Sequence, residues 1–408
     1  MNLEERLAEL AVKIGLNLKP GQPVFLTAHV DHLPLVRALA RALYRAGGVD
    51  LVPFFSDDAL LLAKLTEGGP EAAAHAPKWL YEAVGKALEE GTARLHVTGE
   101  DPNLLAKAPP KRVRAFTQAQ AEARKPVLKP ISEFRVNWTL IGYPTPAWAR
   151  AVFPELPEEK ALEELTRAFV TATRLDAEDP LAAWQTRADE LEARANWLTA
   201  AAFDALHFEA PGTDLVVGLA EGHVWKGGWG YAKNGVKCLP NIPTEEVFTM
   251  PHKDRVEGVV TATMPFSLNG VQVKGLRVRF KDGVAVEVEA EAGLEAVKAL
   301  IETDEGAKRL GEVALVPADS GVRKAGVLFL NTLFDENAAS HIAFGQAYGE
   351  NLRDFDRLDP EERARRGMNH SLVHQDWMIG SEAMRVTGIT KDGRRRVLME
   401  KGMWAFEV

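Results

Sequence analysis

One cysteine, Cys238, stands in 408 residues. No disulfide can close within the chain, and a zinc site built from thiolates is excluded. No stretch reaches the roughly 18 uncharged apolar residues of a membrane span. The opening Met1-Asn2-Leu3-Glu4-Glu5-Arg6 is charged and amphipathic. It lacks the n-region, apolar core and small-residue cleavage site of a secretory leader, so the cytoplasm is the expected compartment. There is no basic block, and the net charge is −9. That balance argues against a phosphate-backbone binder and does not repel a substrate carrying a positive amine. No glycine-rich phosphate loop follows any strand of the first half; Gly99-Glu100-Asp101 is acidic where phosphate needs donors. Internal repeats and low-complexity tracts are also missing. Asn and Gln are sparse against plentiful Ala, Glu, Arg and Pro, a balance that fits a thermophile or a GC-rich genome.

What is present is an ordinary globular composition, 46% hydrophobic and 26% charged, long enough for about two to three domains. The first half alternates helix and strand. Strands are expected at Pro23–Ala28, Asp50–Phe55, Ala93–Val97 and Arg135–Ile141, with amphipathic helices between them, such as Leu33–Arg45 before Gly47-Gly48. That rhythm predicts an α/β domain with a mostly parallel sheet. His29, His32 and His96 fall near strand ends and read as structural or surface residues. Leu162–Ala202 is helical and charged and reads as the connection between two halves. The second half changes to hairpins, marked by Asp282-Gly283 and Asp392-Gly393 between alternating runs, so an α+β domain with antiparallel sheet is expected. The division is placed at 1–200, an α/β domain shaping a cavity or a dimer contact, and 201–408, an α+β catalytic domain.

Four pieces of the second half concentrate acidic, His and Tyr side chains. Asp335–Tyr348 holds Glu336, His341 and Tyr348 among small residues, including Ala338, Ala339, Ala343 and Ala347 that would admit close approach. Read as a helix, the seven-residue spacing of His341 and Tyr348 puts both on one face, and Glu336 at or before the helix start. His374 and Asp376 flank Gln375, so on a strand they share a face about 7 Å apart. Glu312 opens an apolar strand after Gly311, and Glu245-Glu246 follow Pro243-Thr244. Carboxylates that can bridge cations, with neutral imidazoles to fix coordination, suit a dinuclear site. Each group also has a plainer reading. Glu245 and Glu246 suit a helix first turn capped by Thr244, Glu312 a solvated strand end, His341 a satisfied core histidine, and Tyr348 a packed aromatic.

The segments Asn241–Thr249, Leu310–Ala314, Phe334–Gly345 and His374–Gly380 resemble the hallmark segments of the aminopeptidase T family of metallopeptidases, in the same order and across nearly the whole chain. The resemblance implies a two-metal exopeptidase that removes N-terminal residues from short peptides with broad preference. It implies two divalent ions, Zn, Co, Mn or Mg, held by Glu246, Glu312, His341, Tyr348, His374 and Asp376, with Glu312 the bridge. Glu336 is then either a further ligand or an acid/base group, with Glu336 or Glu245 as the proton carrier, and the protein a homodimer enclosing its active sites. The alternatives are a metal-dependent amidohydrolase acting on small non-peptide amides, and a non-catalytic peptide- or metal-binding protein.

Overall fold

The computed structural model describes residues 2–268 and 270–408. They form two compact units, one made of the chain up to Thr186 together with Trp229–Pro243, the other of Arg187–Gly228 and the chain from Thr244 onward.

The first unit is built on a five-stranded parallel sheet. Its order is Asp50–Ser56, Pro23–His29, Ala93–Thr98, Trp138–Gly142 and Asn241–Ile242. Val24, Leu26, Leu95 and Val97 are buried within it, as expected for strands covered on both faces. Helix Leu33–Arg45 buries Leu35, Val36, Leu39, Ala42 and Leu43. Gly47 follows at φ 87°, the left-handed residue that ends it. The fifth strand comes from Trp229–Pro243, a segment that returns to this unit from far along the chain.

The second unit carries an eight-stranded sheet running from Val284–Glu289 at one edge to Met403–Trp404 at the other. The hairpin Arg277–Lys281/Val284–Glu289 turns through Asp282 and Gly283, both at positive φ, matching the primed turn that Asp-Gly specifies. A second, four-stranded antiparallel sheet runs Val247–Thr249, Leu310–Leu315, His341–Gly345, His374–Met378. Val313, Ile342, Phe344 and Trp377 of this small sheet share one core with Phe208, Val217, Val256 and Phe280 of the large one. The Phe344 ring lies 6.0 Å from Phe280 and stacks on Trp377 at 5.6 Å. Burying such aromatic chains contributes roughly 1.5–3 kcal/mol each and fixes which face of the small sheet points inward. With a side-chain period of two, the other face is then fixed as well. That other face carries Glu312, His341, His374 and Asp376.

The helix expected over His341–Tyr348 is not there. His341–Gly345 is a strand, and Tyr348 lies beyond its end, just before a single 3-10 turn at Gly349–Asn351. The segment reads with period two. His341, Ala343 and Gly345 alternate with Ile342 and Phe344, and burial of the two large apolar chains overrides the helical propensity of the alanines. Helix is confined to Thr332–Asp335, and Glu336 starts a 3-10 turn after it. The helix considered after Thr244 is also absent, since Thr244–Glu246 is irregular and leads into the strand Val247–Thr249.

Candidate metal centre

Three neighbouring strands set the site by register. Glu312 pairs with Ala343, and Ala343 pairs with Asp376, so the two carboxylates flank an alanine across the sheet. Gly345 pairs with His374, and a register shift between Leu310 and Glu312 bends the first strand there. The central strand therefore offers only a methyl group between the acids, and both reach over it. Glu246 enters from the chain just before the edge strand.

Two groups of ligand atoms result, Glu246–Glu312–His341 and Glu312–His374–Asp376, each with its atoms within 4.8 Å of one another. That spread suits atoms placed about 2.0–2.2 Å around one divalent ion. Glu312 belongs to both. One of its oxygens lies 3.5 Å from His341 Nε2 and the other 3.7 Å from His374 Nε2. His341 Nε2 is also 3.1 Å from Glu246, and His374 Nε2 3.3 Å from Asp376.

The imidazoles are aimed by their other nitrogens. His341 Nδ1 lies 3.1 Å from the Ala339 carbonyl, and His374 Nδ1 2.8 Å from the Gln346 carbonyl. A carbonyl only accepts, so each Nδ1 carries the proton and each Nε2 faces carboxylate oxygens. Nε2 then needs either a second proton or a cation in front of it. Glu246, Glu312 and His341 are nearly inaccessible, and the buried Glu246 oxygen faces His341 Nε2 at 3.1 Å. Two carboxylates at that depth, with Asp376 close by, require positive charge. The residues present therefore fit bound divalent metal.

Without metal, protons take that place. Burial pushes the Glu312 carboxyl up to about 7, against the hydrogen bond from His341. Burial opposes charge on His374, but Asp376 and then Glu312 outweigh it and hold the imidazole at about 9. Burial is likewise outweighed at His341, held well above its ordinary value by Glu246 and Glu312. The sign of the pH dependence follows. The stability contributed by the two charged histidines is complete below the ordinary imidazole value and is lost as pH rises, for His374 through about 9. Neutral Glu312 is favoured on the same side, below about 7. Asp376 is shifted down, with burial outweighed by His374, so its contribution is lost only in acid. Metal-free protein should therefore melt at progressively lower temperature from about pH 6 to about pH 9, and added divalent ion should raise the melting temperature most at the alkaline end. Thermal melts with and without chelator across that range check this; metal stabilisation that is flat or falls with pH would contradict it.

The remaining residues expected at the site are placed as follows. Tyr348 stands beside it, with its ring 4.7 Å from His374. It is 41% exposed, yet desolvation by the surrounding walls, and after it Glu312 and Asp376, push its phenol well above the ordinary value. Glu336 is half-buried. Burial, then Glu246 and Asp376, push its carboxyl well above the usual range. Glu245 is fully buried and turned elsewhere, with one oxygen 2.7 Å from Arg187 and the other accepting from Gly321 N–H. His29, His32 and His96 lie in the first unit, where His29 N–H donates to His32 Nδ1 and Thr27 holds His96. Among the described residues neither metal-ready group includes them. The residues not foreseen as functional are Arg187 and Asn337. Neither carries a motif, and their partners are distant in sequence.

Paired carboxylate–imidazole clusters sharing one carboxylate are the arrangement of metal-dependent hydrolases. The model of thermophilic metalloproteases (M29) matches residues 2–404, and the chain belongs to that family. It is 52% identical to aminopeptidase T of Thermus thermophilus over 98% of both chains. It is 44% identical to aminopeptidase 2 of Geobacillus stearothermophilus, over 99% of this chain and 98% of that one. The solved structure of wild-type AmpT from Thermus thermophilus superimposes with a TM-score of 0.94 at 51% identity, covering 99% of each chain.

Proposed function

We propose that the protein is a two-metal aminopeptidase that removes N-terminal residues from short peptides with broad preference. The observation that carries this reading is the pair of histidines that commit Nδ1 to a backbone carbonyl and turn Nε2 toward opposite oxygens of Glu312. Glu246, Glu312 and His341 would hold one ion, and Glu312, His374 and Asp376 the other; Zn, Co and Mn suit such mixed donors best, Mg less. Divalent ions held there would supply Lewis acidity and a water of lowered pKa. Glu336, whose carboxylate has no hydrogen bond or ion pair among the described residues, carries the proton to the leaving amine. Glu245 is held by Arg187 and Gly321, which favours Glu336 over it for that role. Tyr348, whose ring lies 4.7 Å from His374, would join this donor set as a further ligand.

The net negative charge suits a substrate with a free amine. A free-amine peptide should be cleaved from its N-terminus and its N-acetylated form should not, both assayed with the same Co- or Zn-loaded protein. Equal cleavage of the two would favour the amidohydrolase reading, and no chelator-sensitive hydrolysis of either a binding protein. A homodimer is supported by the sheet-edge strand Asp50–Ser56, which exposes Val52 and Phe54, a surface a second copy would cover. Light scattering after size exclusion should give twice the chain mass. A cytoplasmic location is consistent with the single cysteine; no described helix is long and apolar enough to cross a membrane.

A further inference from the structure

We infer that Arg187 is a positioning residue for one half of the metal site, acting through Glu245 on Glu246 and Glu336 together. The inference rests on the two-ion reading above. Arg187 lies on the helix Pro180–Ala201, 58 residues before Glu245 in sequence. Its guanidinium approaches the Glu245 carboxylate at 2.7 Å and donates to the Glu245 backbone carbonyl at 3.4 Å. The same side chain reaches Glu190 at 3.2 Å, which holds it along its own helix. Glu245 is completely buried, and the Arg187 side chain is 12% exposed.

Two further contacts make Glu245 a junction. Its second carboxylate oxygen accepts from Gly321 N–H at 3.0 Å. Its backbone N–H donates to Asn337 Oδ1 at 2.6 Å. Asn337 in turn donates to the Leu333 carbonyl at 2.9 Å, which fixes the turn that carries Glu336. Thr244–Glu246 has no regular secondary structure of its own, so these contacts take the place of a sheet or helix in setting where the next residue points. That next residue is Glu246, whose carboxylate lies 3.1 Å from His341. Asp376 and His374 belong to a strand held by its own ladder and do not depend on Arg187. The two halves of the site are thus supported differently. Loss of Arg187 should loosen the Glu246 half and leave the Asp376 half in place.

The test is a metal titration of metal-free protein with Co or Zn, read by calorimetry and by the Co absorption spectrum, with Arg187→Met set beside Glu246→Gln and Asp376→Asn. Arg187→Met should weaken one of two binding steps by about 10- to 100-fold, the range for removing a residue that orients a ligand, with the other step within about 3-fold of wild type. The weakened step must be the one that Glu246→Gln weakens. Arg187→Lys should recover part of the loss, since it restores the charge without the fork. Arg187→Met leaves the Glu245 charge buried without its cation and risks misfolding. The double variant Arg187→Met/Glu245→Gln removes that charge and should fold while still binding weakly at the same step. Unchanged affinities in the double variant, or equal weakening of both steps, would overturn the inference. A wild-type titration with fewer than two ions would instead overturn the two-ion reading, and Arg187 would then be judged by whether its variant matches Glu246→Gln at the ion that binds.

Discussion

Glu312→Gln should lower kcat/KM by at least about 1,000-fold, roughly 4 kcal/mol of transition-state stabilisation, while the metal-free protein stays folded. Glu312 is the only residue common to both ligand groups, so an amide there withdraws one negative donor from each ion. It also removes a carboxylate that the metal-free protein holds near Asp376 and Glu246. Two outcomes should therefore separate. The metal-free melting temperature stays within a few degrees of wild type, because the lost contact with His341 is offset by relief of like charges. The rise in melting temperature on adding metal largely disappears, because stabilisation by a ligand follows its affinity. Kinetics on a Leu-anilide substrate and paired thermal melts measure both. A variant with more than about a tenth of wild-type kcat/KM in metal-replete buffer would show that Glu312 does not bridge the reacting centre.

The second large effect concerns a residue with no chemistry of its own. Ala343 pairs with Glu312 on one side and Asp376 on the other, and it is fully buried. Ala343→Leu would place a branched side chain between the two carboxylates. Overpacking of this kind typically costs about 1–3 kcal/mol of stability, which a two-sheet core can absorb. The ions cannot share that space. Both binding steps and activity should fall together, by about 100-fold or more in kcat/KM, a barrier change of nearly 3 kcal/mol. Ala343→Gly keeps the space open and should retain both ions with only a modest loss of stability, about 1 kcal/mol. Two-site metal binding retained by the leucine variant would mean that the ions do not sit over this strand.

The same alanine shows what could be read from the residues alone. The small residues around His341 signalled close approach, and that holds for Ala343. Read as a helix, the segment made His341 and Tyr348 a matched pair through their seven-residue spacing. Burial of Ile342 and Phe344 against the large sheet decides for a strand, and that depends on partners far along the chain. His374 and Asp376 were legible because a spacing of two on a strand is a local rule, independent of what packs on it. Glu312 was legible as a carboxylate opening an apolar run after Gly311, and the strand in fact begins at Leu310. The parallel sheet of the first half and the Asp-Gly hairpins were legible because period and turn chemistry are local too. The fifth parallel strand at Asn241–Ile242 was not, since two residues carry no period. Arg187 was not legible for the same reason that it matters: its partner lies 58 residues away, and nothing in a charged helix distinguishes one arginine from its neighbours.

The central claim is that two ions are held on either side of Glu312. Crystals of metal-loaded protein, measured with anomalous scattering at the edge of the bound metal, test it directly. The expected result is two peaks roughly 3.5–4 Å apart, one within ligand distance of Glu246 and His341, the other of His374 and Asp376, with Glu312 touching both. A single peak at full occupancy, or two peaks without Glu312 between them, would contradict it.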